Sequence, residues 1–254
     1  MRSSTQLLKE SCSLFIQNSK LFIIIGIFPA IFGLIVSPLF TEQKTGEEIH
    51  FTPTLIIVAV LGAVISMLMY IAYAKAVSAP ATAREAYIFA KEHFFSYTWV
   101  TILTGIILVI GFILLIIPGF IFMFWYMFAT YTVLFEGKKG MDALRSSKEL
   151  VKGKFGAVAG RFAFLFIISL VVLVPLGLIV STGFKSQSKI VTDILGAVIN
   201  LITYPIFTAY MYFMYQDLKK EKETVAQSNV SANNPITATV SPIATTNTPD
   251  QSHG

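Results

Sequence analysis

Six apolar runs constrain this chain more than anything else in it: Leu21 to Phe40, Thr54 to Val77, Trp99 to Ile117, Phe120 to Phe135, Phe162 to Val180 and Ile190 to Phe213. A hydrocarbon core of about 30 Å takes about 20 residues of helix, so each run reads as a membrane span. The fourth is short and fits by tilting or by shelter from its neighbours. Composition agrees, with 55% hydrophobic residues, 13% charged residues and a mean hydropathy of +0.72, where soluble domains carry about 25% charged residues. The third and fourth runs meet without a polar loop at Ile117, Pro118, Gly119 and Phe120. Proline followed by glycine is a turn signal, and predicts a tight hairpin there.

Basic residues set the orientation. With the N-terminus inside, the inner segments hold Arg2, Lys9, Lys20, Lys75, Arg84, Lys91, Lys138, Lys139, Arg145, Lys148, Lys152, Lys154, Arg161, Lys219, Lys220 and Lys222, leaving only Lys44, Lys185 and Lys189 of the 19 outside. That bias places both termini in the cytoplasm and the chain in the cytoplasmic membrane. The first run follows basic residues as a signal peptide would, but it exceeds an h-region of about 7–15 residues and lacks a small-x-small cleavage site, so it is expected to stay as a helix. Residues 1–218 form the membrane domain. From Lys219 a Ser, Thr, Asn, Ala and Pro-rich stretch to Gly254 reads as a disordered cytoplasmic tail.

The net charge of +5 sits beside apolar runs, where anionic lipid head groups are the natural partner and nucleic acid is not. Cys12 is the one cysteine, so no internal disulfide or cysteine metal cluster is available. His50, His93 and His253 fall in three different regions, and no HExxH, GxSxG or phosphate-binding glycine loop is present. No cofactor is implied and catalysis is not expected.

A repeat organises the rest. Stretches of amphipathic helical pattern, 5–20, 82–97 and 141–156, precede the first, third and fifth runs. Leu8, Cys12 and Phe15 fall at helical spacing in the first; Leu144 and Val151 do in the third, with Ala143, Ser147 and Leu150 on an adjoining line. Each reads as a helix in the inner interface. The expected fold is therefore all-α, with six transmembrane helices as three parallel hairpin repeats, each preceded by an interfacial amphipathic helix.

The run from Ile116 to Phe155, with IIPG, an aromatic-rich helix, FEGKKG and ALRSSKELVKGKF, resembles the signature of a group of prokaryotic six-helix membrane proteins. These are similar to the membrane domain fused to some glycerophosphoryl diester phosphodiesterases. In such fusions the catalysis belongs to a separate soluble domain, so the resemblance implies a membrane scaffold or partner module, not hydrolysis.

Two groups of candidate residues emerge. Glu136 ends the fourth helix, where a carboxylate faces the unfavourable helix terminus, so a cation should accompany it. Arg145 and Lys148 are the candidates, and Lys152 and Lys154 complete a cluster suited to structure or to lipid head groups. Within the spans, Asp193 and Asn200 lie seven residues apart on one face of the sixth helix, with Pro175 and Pro205 able to free backbone carbonyls. They form a candidate transport path. Other features lean structural: the stripe Phe124, Phe128, Tyr131 and Phe135, the small-residue steps Gly156/Gly160 and Ala72/Ala76, and Tyr210, Tyr212 and Tyr215 at an expected aromatic belt. Gly137, Gly140 and Gly153 fit helix ends. The favoured function is a non-catalytic membrane scaffold or accessory protein binding anionic lipid head groups or a membrane protein partner. The alternative is a transporter or channel for a small solute.

Overall fold

The computed structural model describes residues 1–41, 53–183 and 189–232; Lys44, His50, Lys185 and His253 lie outside them. Among the described residues every element is helical: α1 Ser4–Gln17, α2 Ser19–Thr41, α3 Pro53–Ser78, α4 Ala83–Leu114, α5 Ile116–Tyr126, α6 Ala129–Glu136, α7 Gly140–Val151, α8 Phe155–Gly183 and α9 Lys189–Ala232. Six stretches are long and apolar enough to cross a membrane: in α2, α3, α4, α5 with α6, α8 and α9. Helices satisfy their own backbone groups, as hydrocarbon requires, and their outward faces carry large aliphatic side chains such as Ile24, Ile27, Phe28, Ile31 and Ile35 on α2.

The helix ends follow local chemistry. Ser3 and Gln6 form a capping box on α1, and Thr82 and Glu85 form one on α4. Gly137, Gly140 and Gly153 all have positive φ, the conformation that ends α6, opens α7 and follows α7, and one that side chains with a Cβ avoid. The segment 82–97 is not a separate interfacial helix, because no glycine or proline interrupts the chain from Ala83 to Thr104, and it forms the first half of α4. In α1 the buried line is Leu7 and Ser11, one residue back from the expected Leu8 and Cys12.

The turn between the third and fourth spans falls at Leu115, whose extended backbone separates α4 from α5. Pro118 is the third residue of α5, in the first turn, where a backbone N–H has no helical partner to lose. Gly119 instead permits a close approach: a Cβ there would lie 2.5 Å from the Phe112 ring, and one on Gly111 would lie 3.2 Å from Gly119 Cα.

The fourth span breaks at Met127 and Phe128, and α7 repairs the break. Ser147 Oγ accepts from the Phe128 N–H at 3.2 Å and donates to the Trp125 carbonyl at 2.7 Å. Thr132 Oγ1 donates to the carbonyls of Ala129 at 2.8 Å and of Ala143 at 3.1 Å. Ala143, Leu144, Ser146, Ser147, Leu150 and Val151 are buried, so α7 is inserted against α4, α5 and α6 and does not lie free on the surface.

The central core joins α3, α6 and α9. Phe128, Tyr131 and Phe135 pack against Tyr212 and Tyr215, while Phe124 meets Phe155 and Phe162. Tyr210, Tyr212 and Tyr215 are buried and make no aromatic belt. Tyr210 donates to the Arg161 carbonyl at 3.0 Å and Tyr215 to Glu136. Ala72 and Ala76 are buried as expected, but a Cβ on Gly156 or Gly160 would meet nothing within 4 Å; that step mediates no close helix contact. α8 engages the bundle through Val158, Arg161 and Leu165 near its start, and Phe166, Ile167, Val171 and Val172 beyond them are exposed.

α9 runs on to Ala232, past Lys219 where the tail was expected to begin. Its extension is held by ion pairs to the α7 region, Lys222 to Glu149 at 2.7 Å and Glu221 to Lys154 at 2.6 Å. Residues 233–254 lie outside the described residues.

Candidate functional site

A groove between α2, α3 and α9 encloses a cavity of about 570 Å³, within the range of small-molecule sites, roughly 300–1,000 Å³. α2 contributes Gly26, Pro29, Ala30, Gly33, Leu34 and Ser37, one helical line over three turns. α9 answers with Thr192, Asp193, Gly196, Ala197, Asn200, Leu201 and Tyr204, and α3 and α4 close the floor with Ser66, Tyr70, Tyr73 and Tyr97. Both transport-path candidates, Asp193 and Asn200, are therefore brought to one cavity.

Its walls stay apart because small residues line them. A Cβ added at Gly33 or Gly196 would meet nothing within 4 Å, whereas one at Gly26 would lie 2.2 Å from the Tyr73 hydroxyl and 2.7 Å from Leu201 Cδ1. The helices touch at the Gly26 end and part above it.

One end of the groove is polar. Ser37 Oγ donates to Asp193 Oδ2 at 2.7 Å, linking the ends of α2 and α9 farthest from the chain termini. The other end is aromatic, and two of its hydroxyl protons are committed within the protein. Tyr70 donates to the Tyr131 hydroxyl at 3.0 Å, and Tyr73 donates to the Phe22 carbonyl at 3.2 Å. Nearby, Tyr87 donates at 2.6 Å to the Ile25 carbonyl, the acceptor that Pro29 leaves without its helical N–H. Pro205 leaves the Leu201 carbonyl in the same position on α9. Asn200 and Tyr204 are exposed, Tyr204 by 48%, so the groove opens sideways.

The second group of candidates separates into two sets. Glu136 accepts from Tyr215 at 2.7 Å and from Ser146 at 3.3 Å, and pairs with Lys138 at 3.0 Å and Lys219 at 3.8 Å. It has its cations, but they are not Arg145 or Lys148. Arg145 faces away from the bundle, on the opposite side of α7 from buried Ser147, and Lys148 lies 4.1 Å over the Trp125 ring. Lys154 is paired with Glu221. Arg145 and Lys152 are exposed and make no ion pair among the described residues.

A third polar cluster was not singled out from the sequence. Asp217 receives the Arg2 backbone N–H at 2.9 Å and its Nε at 2.8 Å, and Arg161 Nη1 approaches Asp217 Oδ2 to 3.9 Å. Arg2 also bonds Glu10 and the Phe213 carbonyl, and accepts from Arg161 through its own carbonyl. The node clasps the start of the chain to α8 and α9. Arg2, Arg161 and Asp217 share no sequence spacing, so only the fold reveals it.

An all-helical bundle with six membrane-spanning stretches defines the class: a multi-pass membrane protein. Within that class, the chain belongs to the family defined by a domain of unknown function, DUF7847, whose model matches residues 41–218. That match covers α3 to α8 and α9 as far as Leu218, with the groove wall of α9, and carries no reference to a phosphodiesterase membrane domain. No curated protein and no solved structure matches the chain.

Proposed function

We propose that this chain is a non-catalytic membrane protein that holds a small guest in the groove between α2, α3 and α9, and acts as a carrier or transporter for it. The observation carrying this reading is the joint lining of one 570 Å³ cavity by Asn200 inside the sixth span and by Asp193 and Ser37 at its polar end. Polar side chains within a span are costly and mark substrate pathways more often than packing. The orientation that goes with it has both termini in the cytoplasm, supported by the bias of basic residues, in the cytoplasmic membrane.

The scaffold reading is the second. It is supported by exposed Arg145 and Lys152, which suit anionic lipid head groups or an acidic membrane partner, and by the resemblance to the membrane domain of certain phosphodiesterases. Pairing of the six spans as three hairpins belongs to the same reading, with α1 ahead of the first and α7 ahead of the third.

Native mass spectrometry of the protein released from its own membrane tests both. A reproducible small guest, retained by the native chain and absent from Gly196→Leu, supports the carrier. A guest-free protein holding an anionic lipid or a stoichiometric protein, lost on Arg145→Gln with Lys152→Gln, replaces it with the scaffold.

A further inference from the structure

Resting on the carrier reading, the middle of the groove defines the class of guest: we infer that it is an uncharged, membrane-soluble molecule with an apolar body and one polar group, an alcohol or an amide, that both gives and accepts hydrogen bonds. Depth is the first argument. Asn200 lies about 15 Å along α9 from Ile190, where the sixth span begins, halfway through a hydrocarbon core of about 30 Å. Ser66 sits at the midpoint of α3. Both line the groove, both are exposed, and neither side chain makes a hydrogen bond among the described residues.

The backbone is the second argument. Pro29 and Pro205 each strip a carbonyl of its helical N–H, that of Ile25 on α2 and that of Leu201 on α9. Tyr87 donates to Ile25 at 2.6 Å, whereas no side chain among the described residues donates to Leu201. Tyr204 follows within a turn, lines the same groove and makes no hydrogen bond through its phenol among the described residues. One turn of α9 thus holds a carboxamide, a carbonyl and a phenol, donors and acceptors together.

Charge is the third argument. Asp193 is the one charged residue lining the groove. It accepts from Ser37 and lies about 10 Å along α9 from Asn200, so the middle of the groove is neutral. An ion at that depth is costly without a counter-charge, and so are polar groups left unpaired. A neutral group that donates and accepts relieves the second cost without incurring the first. The floor receives the apolar body on its ring faces. Tyr70 and Tyr73 give their protons to Tyr131 and Phe22, and Tyr97 lies against Tyr70, ring centroids 5.7 Å apart, with its hydroxyl beside Thr101.

Photocrosslinking tests the assignment. The full chain in phosphatidylcholine nanodiscs is exposed to dodecyl probes that carry a diazirine on the chain and end in a carboxamide, a hydroxyl, a methyl ester, an ammonium or a sulfate, and crosslinked peptides are mapped. Saturable labelling of residues 26–37 and 192–204 by the carboxamide and hydroxyl probes is expected, competed by unlabelled dodecanamide. The methyl ester, which only accepts, labels there about tenfold less, the weight of one hydrogen bond, and the ionic probes do not label there saturably. Asn200→Leu brings the carboxamide probe down to the level of the ester. Stronger groove labelling by an ionic probe, or equal labelling by ester and carboxamide that Asn200→Leu leaves unchanged, overturns the neutral-group assignment and leaves the carrier reading standing. No saturable groove labelling by any probe, with or without a dimer that Asn200→Leu disperses, or labelling that survives Gly196→Leu, overturns both. The comparison of probes on the native chain needs no variant, so a misfolded substitution cannot rescue the proposal.

Discussion

Ser147 and Phe128 are nineteen residues apart, yet one hydroxyl of the first takes the backbone N–H of the second and gives its own proton to Trp125. The fourth span can break in the middle because α7 delivers that hydroxyl to the break. Removing it takes this partner from the buried Phe128 N–H and the part-buried Trp125 carbonyl, at about 1–3 kcal/mol for the buried group. Ser147→Ala should therefore lower the thermal unfolding midpoint in detergent far more than Arg145→Ala, which faces away from the bundle; equal shifts would show that the break is not held this way.

Glu136 gathers Tyr215, Ser146 and Lys138 around one half-buried carboxylate. Lys138 and Lys219 are themselves exposed, so their pairing contributes little, and Glu136→Ala should act through the Tyr215 and Ser146 hydroxyls it leaves unpaired, at about 1–3 kcal/mol each. Tyr215→Phe should cost about 1–3 kcal/mol for one unmade bond. Denaturant unfolding of the two variants checks the order, which reverses if Tyr215 is the anchor and the carboxylate incidental.

The Arg2, Asp217 and Arg161 node predicts a change confined to one region. Asp217→Asn removes the charge that faces Arg161, a residue only 9% exposed, and frees the start of the chain. Hydrogen exchange of the α1 amides should accelerate by at least about tenfold, corresponding to some 1.4 kcal/mol, with α4 and α5 unchanged.

Two glycines should respond in opposite directions. Gly119→Ala drives a Cβ to 2.5 Å from the Phe112 ring, and overpacking of that kind costs about 1–3 kcal/mol. Gly105 is helical, with nothing within 4 Å of a new Cβ. Gly105→Ala should be neutral or stabilising by up to about 1 kcal/mol through helix propensity. Paired melting curves decide it.

The extension of α9 should be sensitive to acid. The Lys222 hydrogen bond holds the Glu149 carboxyl below its ordinary range. Its contribution is thus full above the unfolded carboxylate range and lost as pH falls through the lowered folded value. The pair is exposed, so its effect on global stability is small. The expected sign is a lower protection factor, relative to the intrinsic exchange rate at each pH, in residues 219–232 at acid pH, reproduced at neutral pH by Lys222→Ala.

The spans were legible because hydropathy over about 20 residues is a property of composition, and the positive-φ glycines were legible because only helix ends need them. Asp193 and Asn200 were readable as neighbours from their seven-residue spacing, but their shared cavity was not, since it depends on Gly33 and Pro29 from a helix more than 150 residues earlier. The need of Glu136 for a cation is legible from its place at a helix end. Its partners are not, because Arg145 lies on the opposite face of α7 from Ser147, and the stretch of α9 from Lys219 to Ala232, which brings Lys219 to it, has the composition of a tail. The turn at Leu115 was misplaced because Pro-Gly signals a break without saying which side of it the helix resumes.

The groove has its two long walls on α2 and α9, helices separated along the chain by α3 to α8. A ribosome that stops anywhere before residue 192 leaves a bundle with one wall and no pocket. Assembly of the pocket therefore waits for α9, and the Arg2 to Asp217 contact closes through that same helix.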